Sequence, residues 1–269
     1  MKKIVLFILC ISYSFFFSQQ NCVGILIDSL NAKPIEFANI GIIGKGVGTV
    51  TNEKGEFNFV IPDSLLKFPV KVSMIGYRSK VINSKYFSNQ KNIQLVEQSN
   101  VLDEVKVVAK KSVTKILGNQ TKTTAVVGSF KENKLGAEMG IKLKIKKTRT
   151  HIKTFYLNIA KNQIEKLIFR FNVYNLTEKG YPKDNILTQN IMIEPKDKIG
   201  LIEFDLMPYN IFVNDDVIVS VEWVKDLGNT NLLGFSTKLI GSDTYFRRAS
   251  QDIWEKSSVG VGIYVEVAY

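Results

Sequence analysis

Five carboxylates crowd one stretch of the chain: Glu203, Asp205, Asp215, Asp216 and Glu222. Two such groups held about 5–10 Å apart suffice for glycoside hydrolysis, one as acid and the other as base or nucleophile. Their setting argues for quieter roles. Asp215 and Asp216 follow Asn214 at a strand-opening turn, while Glu203 and Glu222 take polar positions in alternating strands. The same Asn-Asp-Asp turn offers oxygen ligands to calcium, again where turn chemistry alone explains the residues. Other chemistries lack their parts. His151 is the single histidine, followed by Ile152-Lys153-Thr154 without an acidic residue at ligand spacing, whereas a zinc site draws on several His, Cys or carboxylate ligands. It reads as a turn residue. A Ser-His-Asp relay would have to be built around that one imidazole, and no Gly-x-Ser-x-Gly turn is present. The sequence assigns no catalytic residue, no metal ligand and no cofactor.

Binding is better supplied. Lys142, Lys144 and Lys146 alternate with Ile141, Leu143 and Ile145, and Arg149 follows. The three lysines then share one face of a strand, where they solvate an outer surface, guard an edge, or form a patch for an anionic ligand. Tyr181, Tyr209 and Trp254 fall at strand ends and loops, where an aromatic ring can stack on a sugar.

The elements that position these residues sit behind a leader. Lys2 and Lys3 precede an apolar run from Ile4 to Phe17 that ends at Ser18-Gln19-Gln20. This is the pattern of a cleaved signal peptide, assigned to residues 1–19, and it is too short for a stable span. Export to the periplasm, the outer-membrane surface or the medium is expected. Outer-membrane association would then need no transmembrane span. Loss of Lys2 and Lys3 lowers the net charge from +11 to +9. In that compartment the charge points to envelope polysaccharide or a partner envelope protein rather than to nucleic acid. Cleavage also removes Cys10 and leaves Cys22 alone, so no internal disulfide framework is expected.

Beyond the leader the period is two almost throughout. Phe57, Phe59 and Ile61 share a face, as do Val70, Val72 and Met74, and Ile93 with Leu95. The pattern loosens over residues 98–120, read as a linker, and resumes with Phe155, Leu157 and Ile159, with Phe169, Phe171 and Val173, and with Val217, Val219, Val221 and Trp223. Strict alternation over short runs marks half-buried strands, and no window keeps a helical period. An all-β chain of two sandwiches follows, the second (residues 121–269) jelly-roll-like.

The first sandwich, residues 20–97, resembles the carboxypeptidase-like regulatory domain, through GILIDSLNAKPIEFANI, GTVTNEKGEFNF and VKVSMIGYRS. Gly48, Thr49, Thr51, Asn52, Gly55, Phe57 and Ser73-Met74-Ile75-Gly76-Tyr77 carry the likeness, with Asn52 where the family commonly has Asp. The resemblance implies a transthyretin-like seven-stranded sandwich. The following LDEVKVV is similar to the segment joining this domain to the plug of TonB-dependent polysaccharide transporters. Two roles follow as expectations: a non-enzymatic binding or assembly protein of a Gram-negative envelope, or an accessory to such a transporter. A carboxylate-dependent glycan hydrolase is the remaining alternative.

Overall fold

The computed structural model describes residues 19–98, 113–130, 134–164, 166–196, 199–225 and 233–269. The expected leader up to Ser18 and the LDEVKVV segment lie outside the described residues. Gln19, assigned to the leader from sequence, opens the first strand.

Seven strands make the N-terminal unit: β1 (Gln19–Asp28), β2 (Asn39–Ile42), β3 (Val47–Val50), β4 (Glu56–Pro62), β5 (Pro69–Ser73), β6 (Lys80–Asn83) and β7 (Asn92–Leu95). One sheet runs β4-β1-β7, with β7 parallel to β1; the other runs β3-β2-β5-β6. The two-residue period does what the sequence indicates. Phe57, Phe59 and Ile61 turn inward to meet Ile40, Ile42, Val70 and Val72, and the Phe87 ring packs against both phenylalanines. Asn52 closes the hairpin turn, its side-chain oxygen accepting from the Lys54 and Glu56 amides at 2.9 Å. Tyr77, beyond the turn that follows β5, donates to buried Asp28 at 3.0 Å, whose other oxygen accepts from the Leu30 amide at 2.7 Å. Cys22 is a buried free thiol, and burial pushes its pKa up to about 11.

The C-terminal unit follows as β8 (Thr114–Gly118), β9 (Val127–Gly128), β10 (Glu138–Leu143), β11 (Thr150–Asn162), β12 (Phe169–Leu176), β13 (Pro182–Asn185), β14 (Ile191–Ile193) and β15 (Gly200–Asp205). It continues through β16 (Ile211–Val213), β17 (Val217–Trp223), β18 (Leu233–Lys238), β19 (Thr244–Arg247), β20 (Glu255–Ser257), β21 (Gly260–Val261) and β22 (Ile263–Ala268). One sheet is ordered β13-β12-β17-β10-β19-β20, the other β21-β18-β11-β22-β8. Phe155, Phe169, Phe171, Val219, Val221, Val265 and Val267 fill the space between them. The two-sheet sandwich expected for this half is the one the chain builds. Residues 114–118, read from sequence as linker, instead form the edge strand beside β22.

The outer face of the first of these sheets is not solvent-exposed. All seven positions of β17 are buried, because the β2-β3-β5 face of the N-terminal unit docks against it. Phe37 and Val50 meet Ile168 and Val224 in a small apolar cluster of their own. The loop between β19 and β20 reaches across: Ser250 donates to Asn39 at 2.7 Å, Gln251 to Ser73 at 2.8 Å, and Asp252 accepts from the Gly46 amide at 2.9 Å. Gly41 and Gly48 lie beneath this loop. A Cβ on Gly41 would stand 2.5 Å from the Ser250 carbonyl oxygen, and one on Gly48 would meet the same atom. Closing the seam therefore requires a bare backbone at both positions. Gly48→Val should lower stability by about 1–3 kcal/mol through overpacking against backbone, read as a fall in the urea midpoint of the full chain. An unchanged midpoint would show that the seam is looser than described.

Candidate functional site

Four charged residues from four neighbouring strands stand in one row across the covered face. Register sets Arg170 of β12 opposite Glu222 of β17, Glu222 opposite Glu138 of β10, and Glu138 opposite Arg247 of β19. Glu138 and Glu222 are fully buried, Arg170 is 1% exposed and Arg247 8%. Arg170 donates through Nε and Nη2 to one Glu222 oxygen, at 2.9 and 2.7 Å. Arg247 Nη2 reaches the other at 3.1 Å and a Glu138 oxygen at 2.7 Å. The next row supplies neutral donors: Asn172 to both carboxylates, Ser220 and Tyr174 to Glu138. Every carboxylate oxygen in the row thus accepts a hydrogen bond. Arg170 also donates to the Phe37 carbonyl of the N-terminal unit at 2.7 Å.

The two carboxylates differ in acidity because their neighbours differ. Burial raises the pKa of Glu138, and Glu222 beside it adds to the rise against the pull of Arg247. For Glu222 burial acts in the same direction, but Arg170 and Arg247 together hold it below the ordinary glutamate value. Glu138 in turn helps keep Arg247 cationic despite burial.

Above this row, where the two units diverge, lies a polar cleft of about 330 Å³. The N-terminal unit gives it Asn39, Lys71, Ser73 and Tyr77; the other wall holds Arg247, Asn185, Gln251, Tyr174 and Trp254. Trp254 is held edge-on to Tyr174 with ring centroids 5.5 Å apart, and the Arg247 guanidinium lies 5.4 Å from its ring centre. The size is at the low end of small-molecule sites, about 300–1,000 Å³. A second cavity of about 150 Å³ presents a mostly apolar surface, from residues such as Phe130, Met139 and Val261.

The residues singled out from sequence distribute unevenly. Trp254 lines the cleft, and Tyr181 stands on the same sheet, edge-on to Tyr245 at 5.8 Å. Tyr209 ends a short helical turn between β15 and β16, beside the other sheet, stacked on Phe204. The basic run does not form one strand face: β10 ends at Leu143, Lys142 pairs with Asp216 at 2.9 Å, and Lys144 and Lys146 lie exposed beyond the strand. Arg149 takes a left-handed backbone and donates its amide to Asn214. His151 is a strand residue rather than a turn residue, stacked on Phe212, with burial lowering its pKa. Glu203 and Asp205 lie exposed on β15, in the sheet opposite Glu222, so the three carboxylates of the hydrolase reading are not assembled. Asp216 is engaged by Lys142 and the Ile145 amide. Among the described residues no cluster of three metal-ligating side chains occurs. Sequence reasoning missed Glu138, Arg170 and Arg247. The available signal was a β12 sequence, FRFNVYNL, without a lysine on its polar face.

Residues 23–107 match the family model described as a CarboxypepD_reg-like domain. The N-terminal unit is a CarboxypepD_reg-like domain. The match stops short of the second unit, and no curated protein matches the chain. A solved chain titled "Structure of infectious bursal disease virus Gx strain" is similar over 93% of this chain and 55% of its own, at 10% identity and a TM-score of 0.31. This chain spans about half the length of that one, and so distant a likeness carries no argument. The CarboxypepD_reg-like domain contributes one wall of the cleft and accepts the hydrogen bond from Arg170.

Removing one partner of a buried ion pair strands the other and costs about 3–5 kcal/mol. Glu222→Gln should lose that much at neutral pH. Glu138→Gln should lose distinctly less, since burial already penalises the Glu138 charge as pH rises above the ordinary value of 4.5. A depressed pKa stabilises the folded state above the unfolded value and ceases to as pH falls through the folded one. The gap between the two variants should therefore close as pH falls below 4.5, the ordinary value. Equal losses at pH 7 in denaturant titrations would refute this ordering.

Proposed function

We propose that this chain is an exported, non-enzymatic binding protein of a Gram-negative cell envelope, and that it takes a glycan in the cleft between its two units. The observation that carries the reading is the cleft's composition: a fixed indole, Trp254, beside amides and hydroxyls from both walls. Sugars are recognised by that combination of apolar face and convergent polar groups. A non-enzymatic role is supported by how the carboxylates are used. Glu138 and Glu222, in the row beneath the cleft, are fully buried with every oxygen accepting a hydrogen bond, and Asp184, which lines the cleft, is largely exposed and paired with Lys183. Export is supported by Lys2-Lys3 and the apolar run behind them.

Docking to a TonB-dependent transporter is a second reading, favoured by a family match that runs on to residue 107 through most of LDEVKVV. Deleting residues 102–108 should then abolish co-purification with any such transporter.

Isothermal titration of the full chain against soluble envelope glycans should give saturable heat with at least one of them, without release of product. Trp254→Ala should weaken that binding at least about tenfold, or 1.4 kcal/mol, at an unchanged melting temperature. No heat with any glycan would remove the reading.

A further inference from the structure

We infer that the cleft takes a sugar bearing a single carboxylate, with the Lys71 ammonium as its counter-ion. The inference rests on the glycan reading and adds the chemical class of the ligand.

The cleft's other cations are already committed. Arg170 and Arg247 are bound to Glu222 and Glu138 within the sheet. Lys183 stands 3.6 Å from Asp184, with both side chains largely exposed, an arrangement that water screens to little effect. Lys71 differs from all of these. It is half-buried and lines the cleft, and its ammonium has no hydrogen bond or ion pair among the described residues. It projects from the same face of β5 as Ser73, which Gln251 bonds from across the seam. Its partner on β2 is Gly41, which has no side chain to crowd the lysine stem.

Charge arithmetic then selects the ligand. Arg170, Arg247, Lys71 and Lys183 face Glu138, Glu222 and Asp184, which leaves one positive charge uncompensated. A partly desolvated cation without a partner is unfavourable, and a ligand that supplies one negative charge relieves it. A carboxylate matches that surplus; a doubly charged phosphate exceeds it. The neighbouring polar groups suit hydroxyls. Gln251 spends its amide nitrogen on Ser73 and keeps its oxygen, while Asn39 spends its oxygen on Ser250 and keeps its nitrogen. One acceptor and one donor thus flank Trp254 and Lys71.

The test is titration of the full chain with a trisaccharide of two galactoses and one galacturonate, with its neutral methyl ester, and with a capped tripeptide carrying one glutamate. The inference expects the acid sugar to bind at least about tenfold more tightly than the ester, with added NaCl weakening only the acid form. Lys71→Met should bring acid and ester to equal affinity, and Lys71→Arg should keep the preference, with melting curves checking that each variant folds. Equal binding of acid and ester by the unmodified chain overturns the carboxylate inference while leaving the glycan reading intact. Binding of neither sugar removes both. The capped peptide binding as tightly as the acid trisaccharide overturns the sugar part. The comparison on the unmodified chain decides the matter even if a Lys71 variant fails to fold.

Discussion

The pairing of Arg170 with Glu222 holds the two units in one arrangement. Nε and Nη2 of the guanidinium grip the carboxylate within the sheet, and Nη1 reaches the Phe37 carbonyl in the neighbouring domain. A buried ion pair of this kind adds little net stability, because desolvation consumes most of the attraction. Its value is directional. The apolar contact of Phe37 and Val50 with Ile168 and Val224 tolerates small slides, since burial of hydrocarbon has no preferred orientation. A hydrogen bond from a guanidinium fixed on its other side does not. Glu138 and Arg247 extend the row, so that each buried carboxylate faces a guanidinium.

That polarity also explains why a cleft exists. Two fully apolar faces would close on each other to the density of a core. Here the contact is apolar at one end of the seam, is held by the β19–β20 loop along it, and is polar where the units part. The loop carries Ser250, Gln251 and Asp252 to the CarboxypepD_reg-like domain and places Trp254 two to four residues from those anchors. Docking and cleft geometry are therefore set by the same short segment.

The sheets were legible because each buries one face of an alternating strand: Phe57, Phe59 and Ile61 could point nowhere else once their period was seen. The CarboxypepD_reg-like resemblance was legible for a related reason, since Asn52 and Tyr77 make local turn and anchoring bonds that the motif itself encodes. Trp254 was recognisable as a candidate aromatic at a loop, although nothing nearby indicated that it would line the cleft. Arg170, Glu138 and Arg247 were hidden by the same alternation that revealed the core. In a lone sandwich their parity means solvent. Only a second unit arriving from more than a hundred residues away turns that face into an interior, and no local pattern records such a contact. The lysine run erred oppositely: its alternation is real, but β10 stops at Leu143 and Lys142 has Asp216 to hold.

Gly41 and Gly48 give the molecule an unusual freedom. They sit where the main chain of the N-terminal unit meets the Ser250 carbonyl directly, outside the two hydrophobic interiors, so the walls above them answer to neither interior. Replacement of Lys71 on one side or Trp254 on the other alters the mouth without disturbing the packing that lets each half fold. Residues at such a seam can drift and reshape the cleft while both scaffolds remain as they are.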